Sequence, residues 1–137
     1  MKLFTLLLFA AILLIGCQGK SVTGETVPSA GGSYQNISSD ELHSMLGNKD
    51  FILINVHIPF AGDIPHTDLS IAFDQIASPN NLSFLPADKN AKVVLYCRSG
   101  RMSEIAAEKL VSLGYTNIWN LEKGMVGWQG AGYTLAE

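Results

Sequence analysis

Three kinds of hydrophobic pattern follow one another along the chain. Leu3 to Ile15 is an almost unbroken apolar run, and no charged residue stands between Lys2 and Lys20. As a helix rising about 1.5 Å per residue it reaches about 20 Å, short of the ~30 Å hydrocarbon core of a bilayer. A positive start, a short apolar stretch and a small residue at its end describe a secretory signal over residues 1–16. Gln18 to Ser33 is then rich in Gly, Ser and Thr and has no apolar period. With Cys17 it predicts a flexible tether over 17–33. From Tyr34 the pattern alternates between helix and strand, which places one domain over 34–137.

Within that domain, Ser38 followed by Glu41 is a capping box, with Ile37 and Leu42 spaced as a hydrophobic staple. The helix they open is expected to stop at Gly47. Phe51 to Val56 is an apolar run interrupted by Asn55, the pattern of a strand buried on both faces. Pro59 and Pro65 mark irregular chain after it, and Ser70 to Phe73 predicts a short strand. Lys92 to Tyr96 predicts another buried strand, ending at Cys97. A helix is expected over 102–113, with Ile105, Ala106, Leu110, Val111 and Leu113 on its apolar side and Gly114 as its stop. Tyr115 to Leu121 predicts a further strand and Met125 to Gly130 a last short helix. Strands alternating with helices predict an α/β fold, a parallel sheet flanked by helices on both faces.

Composition narrows the function. The chain has 137 residues, 47% of them hydrophobic, with a formal net charge of −3 and two cysteines. That length supports a single domain and no second catalytic unit. The slight acidity leaves no basic face for nucleic acid. Two cysteines are too few for a disulfide-stapled fold or a four-thiolate zinc site, and no His/Cys spacing of metal-binding kind is present, so neither metal nor cofactor is expected.

The chemistry points to Cys97. It stands where a buried parallel strand gives way to a helix, at the sheet edge where such folds bind ligands. Backbone N–H groups of a loop entering a helix N-terminus favour an anion, Arg98 and Arg101 add positive charge, and Gly100 permits unusual backbone angles. All of these favour a thiolate over a thiol. The histidines offer less. His43 is expected on a helix surface, and His57 and His66, in the Pro-flanked stretch, in structural positions, with the pocket rim as the alternative. Trp119 and Trp128 are expected in the core.

The loop Cys97-Arg98-Ser99-Gly100-Arg101-Met102-Ser103 resembles the active-site loop of rhodanese-type sulfurtransferases. Leu121-Glu122-Lys123-Gly124-Met125-Val126-Gly127-Trp128, followed by Ala131-Gly132-Tyr133, is similar to that family's closing Gly-Met-x-x-Trp segment. The resemblance implies a rhodanese-like fold and sulfur transfer through a persulfide on Cys97. Arg98, Ser99, Gly100, Arg101, Met102 and Ser103 would then bind the substrate. It also implies a small anionic sulfur donor such as thiosulfate, and cyanide or a thiol as acceptor. Two positions depart from the family pattern: Met102 stands where an arginine is common, and Asn55-Val56-His57 replaces Asp-x-Arg. A non-catalytic sulfur carrier or binding module of the same fold therefore stays open. A cysteine phosphatase is disfavoured, because the arginine it needs six residues after the nucleophile is Ser103 here. Finally, Leu14-Ile15-Gly16-Cys17 resembles the lipobox of bacterial lipoproteins. That resemblance implies cleavage before Cys17, lipidation of Cys17, and an extracytoplasmic protein held to a membrane by its lipid anchor, on the periplasmic or cell-surface side.

Overall fold

The computed structural model describes residues 21–137. The signal segment 1–16 and Cys17 lie outside the described residues. Six strands and four helices follow in the order β1 (Glu25–Ser29), β2 (Gly32–Ile37), α1 (Ser39–Leu46), β3 (Ile52–Asn55), β4 (Leu69–Ser70), α2 (Pro79–Leu82), β5 (Val93–Tyr96), α3 (Arg101–Ser112), β6 (Ile118–Leu121) and α4 (Gly124–Gly130). They form one sheet in the order β1-β2-β6-β5-β3-β4. Every neighbouring pair is parallel except β1 with β2, so the sheet is mixed rather than wholly parallel.

That exception corrects the tether reading for residues 25–33; residues 17–20 lie outside the described residues. Glu25 to Ser29 pairs in register with Asn36 back to Gly32, making an antiparallel hairpin that turns at Ala30-Gly31. Gly31 has φ +89°, a conformation that favours glycine at a tight turn. The stretch lacks the alternation of a half-buried strand because only Val27 of β1 reaches the core, from a partly buried position. Backbone pairing, which leaves no mark on composition, holds the rest.

The sheet separates two hydrophobic clusters. Along β5, Val93 and Leu95 face the side covered by α3 with Ala106, Ala107, Leu110 and Val111. Val94 and Tyr96 face the opposite side, with Leu42 of α1 and Met125 and Trp128 of α4. Both faces of β5 are thus apolar, which explains its continuous hydrophobic run. Cys97 continues the α3-side register of Val93 and Leu95. Trp119 and Trp128 are buried as expected. Ile105 is not: it is 38% exposed, because Ala106 and Ala107 take the inward positions of α3.

The local signals read in the sequence appear in the structure. Ser38 Oγ accepts the Glu41 N–H (3.2 Å) and Glu41 Oε2 accepts the Ser38 N–H (2.8 Å), closing the capping box of α1. Ile37 and Leu42 are buried in one cluster. Gly114, φ +91°, follows α3 as its stop. The short strand expected over 70–73 lies slightly earlier, at β4.

Candidate active site

Parallel strands end together, so the segments that follow them meet at one edge of the sheet. Asn55 of β3 lies opposite Tyr96 of β5, and Leu95 opposite Asn120 of β6. The chain after β5, after β3 and after β6 therefore leaves the sheet side by side. Cys97 is the first residue beyond β5, 1% exposed, at the base of the loop that enters α3.

The loop curls around the sulfur. Gly100 N–H donates to Cys97 Sγ at 3.0 Å, and the Ser103 hydroxyl lies 3.5 Å from the same atom. Ser103 is fully buried in the first turn of α3, and its hydroxyl also donates to the Gly100 carbonyl at 3.0 Å. Burial pushes the Cys97 thiol up, but the Ser103 hydroxyl and the backbone N–H groups of Ser103, Ser99 and Gly100 together outweigh it. The net direction is down, toward the thiolate, as hydrogen bonds to the charged form require.

Two glycines make this curl possible. Gly100 has φ +102°, and a Cβ there would collide with the Glu122 carbonyl oxygen. Gly124, φ +55°, opens α4, and a Cβ there would strike the carbonyls of Cys97 and Arg98. This closeness has a purpose in hydrogen bonding. Met125 N–H donates to the Cys97 carbonyl and Val126 N–H to the Arg98 carbonyl, each at 2.9 Å. The first turn of α4 thus satisfies the loop's carbonyls from behind while N–H groups of the loop face the sulfur. The sequence marked Gly124-Met125 as a family segment but not this clamp, because backbone pairing across the site has no residue signature.

The neighbouring segment is braced independently. Asn55, buried at the end of β3, donates to the Gly62 carbonyl and to Asp63 Oδ1, both at 2.9 Å, and accepts the His57 N–H at 3.0 Å. Tyr96 Oη lies 3.2 Å from Asp63 Oδ1, accepts the Ile64 N–H at 3.0 Å and pairs with Thr67 at 2.7 Å. Burial pushes the Tyr96 phenol up, so it serves this network as a neutral hydroxyl. Asn55 therefore anchors a polar network of its own where the family commonly has Asp-x-Arg. Asp63, Tyr96 and Thr67 were not legible as its members, since they meet only through the sheet register.

The other expected site residues divide by position. Arg98, Ser99 and Arg101 are exposed around the loop. Neither arginine enters either of the two ion pairs among the described residues, Lys49–Asp68 and Lys92–Asp50. Met102 is partly buried against the α3-side core, so its side chain packs where an arginine would carry charge. His43 and His66 line a different cleft, with Trp128 and Tyr133. There His43 stacks on Tyr133 with ring centroids 4.3 Å apart. His57 is half-buried beside Asn55. No imidazole is a hydrogen-bond partner of Cys97 Sγ. Among the described residues no three His, Cys, Asp or Glu side chains group as metal ligands, and no helix is long and apolar enough to cross a membrane.

The family model of the rhodanese-like domain matches residues 38–131. This chain belongs to the rhodanese-like family. The match begins after the β1–β2 hairpin, which this rhodanese-like domain carries ahead of it. A sulfurtransferase of Allochromatium vinosum is 33% identical over 96 residues, covering 67% of this chain and 85% of that protein. The tRNA uridine(34) hydroxylase of Buchnera aphidicola is 29% identical over 96 residues, but this chain spans only 30% of its length. Among solved structures, a rhodanese-related protein of Thermoplasma volcanium aligns with a TM-score of 0.63 at 26% identity, over 75% of this chain and 98% of that one. A rhodanese-like domain protein of Staphylococcus aureus aligns with a TM-score of 0.58 at 31% identity, over 68% of this chain and 89% of that one.

Proposed function

We propose that this protein is a sulfurtransferase that carries sulfane sulfur on Cys97. The observation that carries the reading is the buried Cys97 sulfur held by the Gly100 N–H and the Ser103 hydroxyl in a loop that favours its thiolate. In the first step the Cys97 thiolate attacks the outer sulfur of thiosulfate. A sulfur–sulfur bond forms to Sγ, the bond to the sulfonate sulfur breaks, and sulfite leaves with the electron pair. The persulfide anion keeps the negative charge within reach of the loop N–H groups, which stabilise it as fixed dipoles. In the second step cyanide or a thiolate attacks the outer sulfur and restores the Cys97 thiolate. No general base is needed for a nucleophile that is already ionised. Arg98 and Arg101, exposed and outside any ion pair among the described residues, attract the anionic donor to an otherwise acidic protein.

The test is thiocyanate formation from thiosulfate and cyanide. Turnover by the parent that disappears in Cys97→Ala supports the reading. A folded parent with a free thiol and no turnover with any sulfane donor would favour a binding module of the same fold.

The location is a second part of the proposal. Leu14-Ile15-Gly16-Cys17 supports lipidation of Cys17 and an extracytoplasmic, membrane-held protein. Two or more acyl chains, each gaining about 0.8 kcal/mol per buried CH₂, give stable anchoring. In cell fractionation, Cys17→Ala is expected to move the protein from the membrane to the soluble fraction; a variant still on the membrane would contradict the anchor.

A further inference from the structure

The parallel strands give the domain two opposite edges. Asp50 precedes β3 and Lys92 precedes β5, and the two form an ion pair at 3.3 Å across what is here called the base. Cys97 follows β5, so the length of that strand, at about 3.3 Å per residue, puts it about 16 Å from Lys92. The residues that lead into β1 show at which edge the chain arrives. Ser21 and Val22 border a surface hollow with Met45, Asn48, Asp50 and Lys92. Val22 and Met45 also pack against the same hydrophobic cluster, which pins this segment beside the base.

From Ser21 the chain climbs beside α1 toward the other edge. Thr23 shares a second hollow with Asp40, Glu41 and Ser44. Gly24 then turns the chain into β1: its φ is +65°, and a Cβ there would press on the Asn36 carbonyl oxygen at 2.9 Å. Glu25 lies opposite Asn36, which lies opposite Asn120, which in turn faces Leu95 near the carboxyl end of β5. The hairpin therefore starts at the Cys97 edge, yet the chain that feeds it comes from the base.

On the anchor reading, only residues 18–20 separate the lipid-bearing Cys17 from Ser21. Fully extended, that length of chain reaches about 14 Å. The height of the sheet from base to Cys97 is greater, so even an extended linker cannot lay the Cys97 edge on the headgroups. This decides between two orientations. Ile58, Phe60 and Val126 are exposed on segments that leave the sheet at the Cys97 edge. On a lipidated protein such side chains would otherwise suggest an edge that dips into the bilayer. We propose that the short anchor seats the base on the membrane and turns the Cys97 edge to the aqueous side, so that sulfur arrives and leaves on water-soluble rather than lipid-embedded partners. The proposal rests on the anchor and sulfurtransferase readings above.

The test uses the lipidated protein in phosphatidylcholine vesicles that contain a headgroup-nitroxide lipid. In a Cys97→Ser background a fluorophore is attached either at Asn48→Cys, beside the base, or at Phe60→Cys, at the other edge; both positions are exposed. Nitroxide quenches at short range, so emission is expected to fall at residue 48 and to stay unchanged at residue 60. Equal quenching at both, or quenching at residue 60 alone, overturns the orientation and leaves the anchor standing. Protein that does not stay with the vesicles overturns the anchor and the orientation together. Inserting about twelve Gly and Ser residues after Lys20 lengthens the reach and is expected to relieve quenching at residue 48; unrelieved quenching overturns linker length as the cause. The parent protein reads the partner class without any sulfur donor. Free iodoacetamide is expected to alkylate Cys97, and iodoacetamide carried on a lipid headgroup to do so about tenfold more slowly or less, because a linker too short to span gives almost no effective concentration. Comparable rates would overturn the outward-facing site.

Discussion

Ser103 has one hydroxyl proton and two acceptors within reach, the Gly100 carbonyl at 3.0 Å and Cys97 Sγ at 3.5 Å. A thiolate competes for that proton far better than a thiol, so the hydroxyl responds to the charge state of the sulfur. Removing it leaves the backbone N–H groups alone against the effect of burial. Ser103→Ala is therefore expected to raise the Cys97 pKa. The direction of the pH dependence follows. The parent's thiolate persists below the ordinary thiol range and is lost only as pH falls through the lowered pKa. The variant loses it at higher pH. Alkylation rate against pH reads this as an upward displacement of the acid limb. At neutral pH sulfur loading is expected to slow roughly tenfold, the worth of one hydrogen bond to a charged group at about 1.5 kcal/mol. An unmoved limb would show that Ser103 serves only the Gly100 carbonyl.

Among the elements, α4 determines whether the loop keeps its shape. Its first turn holds the carbonyls of Cys97 and Arg98, and Gly124 brings it close enough to do so. Gly124→Ala places a Cβ against those carbonyls in a positive-φ conformation, which alone costs about 1–3 kcal/mol. The expected outcome is a lower urea midpoint together with loss of loading, and full loading at parental stability would contradict the clamp. This element also shows where sequence reading reached its limit. The helix, its Gly-Met opening and buried Trp128 were all legible as pattern, as were the capping box of α1, the buried run of β5 and the turn at Gly114. The Cys97 loop was legible because a nucleophile, two arginines and a glycine fall together between strand and helix. The β1–β2 hairpin was not, since its pairing is made by backbone groups and its side chains are mostly exposed. Ile105 followed the apolar period yet is partly exposed, because Ala106 and Ala107 take the inward positions of α3. The Asn55–Asp63–Tyr96 network joins residues distant in sequence, and only the register of β3 and β5 brings them together.

At the scale of the molecule, one design feature recurs: segments leaving the same edge of the sheet each brace the place where Cys97 sits. The α3 entry supplies the donors to sulfur, α4 secures the loop from behind, and the segment after β3 is fixed by its own polar network. An acidic chain thereby presents two arginines beside a sulfur biased toward the thiolate. The hairpin belongs to the same sheet, so the domain that carries this site begins before Tyr34 and includes β1. Any shortened protein needs those residues to keep the β2 edge paired. The most direct measurement is intact mass spectrometry of the full chain after incubation with thiosulfate, beside Cys97→Ser. A gain of one sulfur atom in the parent alone, discharged by cyanide, is the predicted result. A folded parent with a free Cys97 thiol that gains no sulfur from thiosulfate or any other sulfane donor would contradict the claim that Cys97 carries sulfur.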